Sequence, residues 1–302
     1  MDRIAVLGPG GVGGFLAAAL AHAGEQVEVV ARESTAERIR AGGIRLTSVL
    51  LGEFTAHPDA SAILSSPAGV LVVATKANGL DAALERIETQ PELVVPMLNG
   101  LDHMQRLRER FGDGSVAAGT IRIEADRPEP GVIVQTSPTV RIELASDRPG
   151  QRPALDRLAA RFAAAGIPAR REEREAQILW SKLVRLTALA CTTSASDRPI
   201  GFIRTDPHWR SSLEACVSEA AAVANADGAQ LDPAGPLGEL EAAHPELGSS
   251  MRRDIAAGRE PELDAIAGSV LRAGRRYGIA CPTIERLSAE IAARAGVPAP
   301  AF

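Results

Sequence analysis

Arg3-Ile-Ala-Val-Leu7-Gly8-Pro-Gly10-Gly11-Val12-Gly13 is an apolar run of strand length that ends in GxGxxG and leads directly into the Ala-rich stretch Gly14-Phe-Leu-Ala-Ala-Ala-Leu-Ala21. The order strand, glycine turn, helix is what gives the motif its meaning. The first glycine permits a tight turn, the second lets backbone approach a pyrophosphate, and the third lets helix and strand pack closely. The helix N-terminus then offers free N–H groups to phosphate. Gly8, Gly10, Gly11, Val12 and Gly13 are therefore candidate dinucleotide-binding residues, against the plainer reading of a glycine turn that holds nothing.

The end of the second strand selects the dinucleotide. Sites for NAD usually carry an acid there to bond the ribose 2′-hydroxyl, whereas this chain reads Val29-Val-Ala-Arg32-Glu33-Ser34. Arg32 at the expected position would pair with a 2′-phosphate through charge-assisted hydrogen bonds, which favours NADP (NADPH). Glu33 is the competing residue, since a displacement of one position reverses the preference, and a solvated arginine is the plainer reading of Arg32.

Outward from this segment, residues 1–171 alternate short β-rich runs with helical stretches, the pattern of a parallel sheet with crossover helices. Strands are expected at Arg3 to Leu7, Gln26 to Ala31, Val70 to Ala74, Leu93 to Pro96 and around Val116 to Ile123, with a helix over Gly11 to Ala23. Gly131 to Ala145 reads as an antiparallel hairpin extending the sheet edge. Residues 172–302 lack strand-like runs. Helical periodicity there predicts helices over Arg174 to Thr192, Pro207 to Asp227, Glu262 to Tyr277 and Pro282 to Ala295, followed by a frayed GVPAPAF tail. The fold class is α/β in the first part and all-helical in the second.

Composition narrows the partners. The 302 residues are 45% hydrophobic and 24% charged, enough for a large core and two domains. A net charge of -5 argues against nucleic acid, whose binders need a basic excess. The longest apolar runs are of strand length, far short of the ~20 residues that cross a bilayer. The opening segment has no basic n-region and places a glycine turn where a signal peptide would continue its apolar core. Cys191, Cys216 and Cys281 are odd in number and lack CxxC spacing, so neither a disulfide framework nor a metal site is indicated, and a cytoplasmic setting fits. Helical domains of this size pair or stand alone, which leaves a homodimer open.

Only two of the 33 basic residues are lysine, Lys76 and Lys182. Arginine serves wherever a positive charge merely solubilises or pairs. A retained lysine can therefore mark a place where arginine will not do, because a lysine ammonium can donate its proton in catalysis and a guanidinium cannot. Chance survival of two surface lysines is the alternative.

Four separated segments, in order, resemble the ketopantoate reductase (2-dehydropantoate 2-reductase) family nearly end to end. They are the GPGGVGG turn, Ala74-Thr-Lys76-Ala, Met97-Leu-Asn99-Gly100, and Trp180-Ser-Lys182-Leu with Ser249-Ser250-Met251-Arg-Arg-Asp254 and Glu262-Leu-Asp264. The resemblance implies an N-terminal Rossmann NADP-binding domain, an all-helical C-terminal domain like that of 6-phosphogluconate dehydrogenase, and NADPH-dependent reduction of a small-molecule 2-oxo acid, as in the conversion of ketopantoate to pantoate in pantothenate biosynthesis. It also implies roles. Lys182 would be the general acid, Glu262 would orient it, Lys76 and Asn99 would place nicotinamide and substrate, and Ser250 would bind the substrate carboxylate. Helix N-cap is the alternative for Ser250, and turn residue for Asn99.

The chain also departs from the family pattern. Where family members present three asparagines, one and two turns after the lysine and beyond the end of its helix, this sequence has Leu186, Ala190 and Ile200. Leu186 and Ala190, at i+4 and i+8, share the lysine's helix face. Losing hydrogen bonds to a substrate hydroxyl weakens selection for it, so the substrate is expected to carry a more apolar side chain than ketopantoate. Arg185 and Thr187, on neighbouring faces, are candidates for replacement contacts. Two other readings compete. An opine- or hydroxy-acid-type dehydrogenase generally relies on histidine as acid and base, yet His22, His57, His103, His208 and His244 show no such setting. A catalytically inactive NADP-binding sensor is favoured by the lost asparagines and opposed by the retained lysines and Glu262.

Overall fold

In the computed structural model, which describes residues 3–302, the opening segment forms β1 (Arg3–Leu7) and α1 (Gly11–His22). Next come β2 (Gln26–Val30), α2 (Glu33–Gly42), β3 (Ile44–Ser48), β4 (Gly52–Ala56), β5 (Asp59–Ser61), β6 (Val70–Val73), α3 (Leu80–Leu84), β7 (Leu93–Pro96) and α4 (Asp102–Phe111). Then β8 (Ala118–Arg122), β9 (Ala125–Glu129), β10 (Val132–Gln135), β11 (Arg141–Ala145), α5 (Arg152–Ala164) and β12 (Ala169–Glu172) follow.

The central sheet is five-stranded and parallel, in the order β5-β2-β1-β6-β7. The chain leaves β1 to one side to make β2 and returns on the other side to make β6. The carboxyl end of β1 is thus the switch point where an open α/β sheet binds ligands. A second sheet, β4-β3-β10-β9, lies across α1 from the first, and α1 packs against strands of both. That explains why α1 is apolar all round rather than along one stripe: Phe15, Leu16 and Leu20 are fully buried. A third sheet, β12-β11-β8, carries α5.

The expected hairpin over Gly131 to Ala145 does not form. β10 pairs with β3 and β9, whereas β11 pairs with β8 and β12. The break is built by Gln135, whose amide Oε1 accepts from the Ser48 hydroxyl at 2.6 Å while Nε2 donates to the Ser137 hydroxyl at 2.9 Å, just before Pro138. Ile133 of β10 packs on Gly14 of α1, so the two strands serve different sheets.

The second part comprises α6 (Glu175–Ser196), α7 (Ile200–Thr205), α8 (Pro207–Ala226), α9 (Ala234–Ala242), α10 (Ser250–Ala256), α11 (Ser269–Tyr277) and α12 (Pro282–Ala295), with a π-helical turn over Asp264–Gly268 leading into α11. No helix is long and apolar enough to cross a membrane among the described residues. The three cysteines are buried and free; burial pushes the Cys191 thiol up to about 12 and that of Cys281 up to about 11. The tail is not frayed. Pro300 is buried, Ala301 O accepts from Arg272 at 3.0 Å, and Phe302 O accepts from Arg275.

The chain divides into two compact units, the first ending at Ile178 and the second comprising Leu179–Phe302 together with Asn99–Asp102. The sequence places the boundary earlier, between Arg171 and Glu172. The first turn of α6 belongs to the first unit because the buried carboxylate of Glu175 pairs with Arg108 and its N–H donates to Asp147 Oδ1 at 3.2 Å.

Candidate active site

At the switch point Gly8 has φ +90°, and a Cβ there would lie 2.8 Å from the Thr75 methyl, so both backbone and space demand glycine. Gly10 N–H donates to Gly8 O at 2.9 Å, closing the tight turn. A Cβ on Gly13 would meet Gly8 O at 2.1 Å, and one on Gly11 would meet Ala125 O at 2.3 Å, so both positions are sterically closed. Gly10 is the opposite case. It is the N-cap of α1, has nothing within 4 Å of a built Cβ, and no side chain caps the helix. An open glycine, an uncapped helix N-terminus and no acid in its first turn fit a pyrophosphate.

The neighbouring strand ends frame that turn. Arg32, at the end of β2, is the N-cap of α2 and is exposed. Glu33 is engaged by Arg40, whose Nη2 donates to Glu33 Oε1 at 2.7 Å. Lys76 follows β6 on the other side and is exposed at the start of a short 3-10 turn. Gly8, Arg32 and Lys76 therefore lie at the carboxyl ends of three adjacent strands.

In the second unit the structure joins Asn99 and Glu262 directly: Asn99 Nδ2 donates to Glu262 Oε2 at 3.0 Å. Asn99 follows β7, but its loop, Asn99–Asp102, groups with the helical unit. Gly100, at φ +85°, presses so close to the π turn that a Cβ would lie 2.2 Å from Ala265 O.

Lys182 is half-buried on α6. Its helix is anchored two residues earlier, where buried Trp180 donates from Nε1 to Asp227 Oδ2 at 2.8 Å and Tyr277 donates to the other oxygen of the same carboxylate. Further along α6, Thr193 Oγ1 lies 3.0 Å from Ser249 Oγ. Ser249, buried, is the true N-cap of α10, accepting from Arg252 N–H at 3.1 Å. The N-cap alternative for Ser250 is thereby overturned, since its neighbour takes that role and Ser250 stands exposed in the first turn of α10. Sequence reasoning missed Asp227 and Ser249. The tryptophan two residues before the lysine was a signal for the first, since a buried indole N–H needs an acceptor.

The departures from the family pattern resolve unequally. Ala190 and Ile200 are fully buried, as is Thr187, while Leu186 is half-buried. Arg185 Nε lies 3.3 Å from Glu239 Oε2 of α9.

Comparison with known proteins finds matches over both units. The model of the ketopantoate reductase PanE/ApbA family matches residues 4–147, and that of its C-terminal part matches residues 176–297. An uncharacterised oxidoreductase of Bacillus subtilis, YkpB, is 26% identical, covering 96% of this chain and 97% of that one. A 2-dehydropantoate 2-reductase of Caulobacter vibrioides is 29% identical, covering 93% and 95%. The crystal structure of a 2-dehydropantoate 2-reductase from Geobacter metallireducens superposes with a TM-score of 0.88 at 26% identity, covering 96% and 98%. On these matches the chain belongs to the ketopantoate reductase family of oxidoreductases.

Proposed function

We propose that this protein reduces a 2-oxo acid to the 2-hydroxy acid with NADPH. The observation that carries the reading is the 3.0 Å hydrogen bond between Asn99 and Glu262, which fixes a carboxylate in the unit that also presents Lys182. When bound, the reduced nicotinamide supplies hydride to the carbonyl carbon. As negative charge builds on the carbonyl oxygen, the Lys182 ammonium stabilises it and delivers a proton, so that a C–H and an O–H bond form together at the former carbonyl. Glu262 orients the ammonium, Asn99 holds Glu262, and the exposed Ser250 hydroxyl donates to the substrate carboxylate. In the first unit, the α1 N-terminus takes the pyrophosphate and Lys76 helps to place the nicotinamide end.

Two observations support NADPH over NADH. Arg32 stands exposed at the end of β2, and Glu33, the residue that would bond a 2′-hydroxyl, is held by Arg40 instead. Leu186, half-buried one turn after Lys182 on the same helix face, supports a substrate with a more apolar side chain than ketopantoate, whereas Ala190 and Ile200 are packed inside the fold. Purified protein incubated with NADPH and a panel of 2-oxo acids tests both parts. Turnover of branched-chain 2-oxo acids above ketopantoate is expected. Strong preference for ketopantoate overturns the substrate assignment, and NADPH binding without turnover of any member overturns the reductase reading in favour of a sensor.

A further inference from the structure

The π turn that follows Glu262 and the loop that carries Asn99 are tied to each other by two side chains of α11. Ser269 Oγ accepts from Leu101 N–H at 3.3 Å, lies 3.1 Å from Asp102 Oδ2, and donates to Ala265 O at 2.6 Å. Arg272 reaches further. Its Nη2 donates to Asp102 Oδ2 at 2.6 Å and its Nη1 to Asp264 Oδ1 at 2.7 Å. Asp102 stands three residues after Asn99, and Asp264 two residues after Glu262. Arg272 thus holds a carboxylate on each chain segment whose side chains make the Asn99–Glu262 bond, while Gly100 lets the two backbones touch. The same guanidinium also donates to Ala301 O, closing the tail over this corner.

We propose that Arg272, assisted by Ser269, is a positioning residue that sets the Asn99–Glu262 hydrogen bond and through it the carboxylate that orients Lys182. The inference rests on the reductase reading for its effect on turnover, but not for its effect on geometry. A planar fork can serve two carboxylates at once, whereas an ammonium on a flexible stem is a single point charge, so even Arg272→Lys should loosen the clamp. Single π turns within helices occur frequently at functional sites, and here the turn over Asp264–Gly268 lies between Glu262 and Arg272.

The chain contains three asparagines, Asn78, Asn99 and Asn225, so protein labelled with ¹⁵N on asparagine alone shows three side-chain amide pairs, and Asn99→Ser assigns the relevant one. In Arg272→Lys and Arg272→Gln the Asn99 pair should shift or broaden while the Asn78 and Asn225 pairs stay in place. In parallel, kcat for 2-oxo acid reduction should fall roughly tenfold or more, because misplacement of a catalytic group is costly, with KM for NADPH changed by less than about twofold. An Asn99 pair unmoved in both variants overturns the proposal. So does movement of all three pairs together in Arg272→Lys, which marks general loosening rather than a clamp. Should the wild-type protein reduce no 2-oxo acid, the reductase reading falls, and the spectra alone still decide whether Arg272 positions the pair.

Discussion

At the scale of single residues, the proposed preference for NADPH turns on two neighbours that sequence cannot separate. Arg32 and Glu33 both stand near the position that would read the ribose, and only the fold shows Glu33 turned to Arg40 and Arg32 left exposed. Replacing Arg32 by alanine should therefore weaken NADPH binding by about 10–100-fold, the worth of charge-assisted hydrogen bonds to a 2′-phosphate, while NADH binding changes little. Fluorescence titration with both nucleotides measures this, and equal losses for the two would show that Arg32 does not read the phosphate. Ser249 and Ser250 pose the same problem. Adjacent serines before a helix are equivalent in composition, and the cap goes to whichever one the backbone turns inward, here Ser249 against Thr193. Lys76 and Lys182 were legible for a different reason: in a chain that uses arginine almost throughout, their presence needs no structure to be noticed.

Elements with a strong local period were readable, and elements defined by distant partners were not. β1, α1, β7 and α12 fall within a residue of their expected limits because alternation, glycine turns and proline at a helix start are local signals. The strands at Val132–Gln135 and Arg141–Ala145 were visible as strands, but their pairing was misread, since a period of two says which face is buried and not which strand lies alongside. The tail carries no period at all, and its order comes from Arg272 and Arg275 far back in the chain. Rigidity of α6 likewise depends on a partner invisible to periodicity. The Trp180 indole bonds to Asp227, so Trp180→Phe removes a hydrogen bond to a charged acceptor and should destabilise the protein by about 1.5–3 kcal/mol. Urea unfolding reads this directly, and an unchanged midpoint would show that the Asp227 contact does not hold the helix.

At the scale of the whole molecule, the division into two units was evident from the change in texture along the chain, whereas the assignment of the Asn99–Asp102 loop to the helical unit required its contacts. The helical unit is also braced electrostatically. Asp197, at φ 57°, accepts from Arg252 and pairs with Arg294, and these bonds hold its carboxyl below the usual aspartate range, the Arg252 hydrogen bond contributing most. A carboxyl whose pKa is lowered on folding contributes stability that is present above its unfolded value and lost as pH falls through the folded one. Asp197→Asn, which keeps the left-handed backbone accessible, should lower Tm modestly at pH 7, since the pair is half-exposed and screened. The difference from wild type should shrink as pH falls below the ordinary aspartate value of about 4 and vanish once pH has passed the lowered folded value. A constant difference across pH would assign the effect to packing instead. The account as a whole stands on the proposed role of the amine at position 182 as proton donor to a 2-oxo acid undergoing reduction. Its most direct test is steady-state turnover of the best 2-oxo acid by Lys182→Arg, beside a titration of NADPH binding: kcat should fall by about 10²–10⁴-fold, the worth of a positioned proton donor, with nucleotide affinity retained. Turnover by the arginine variant at close to the wild-type rate would contradict it.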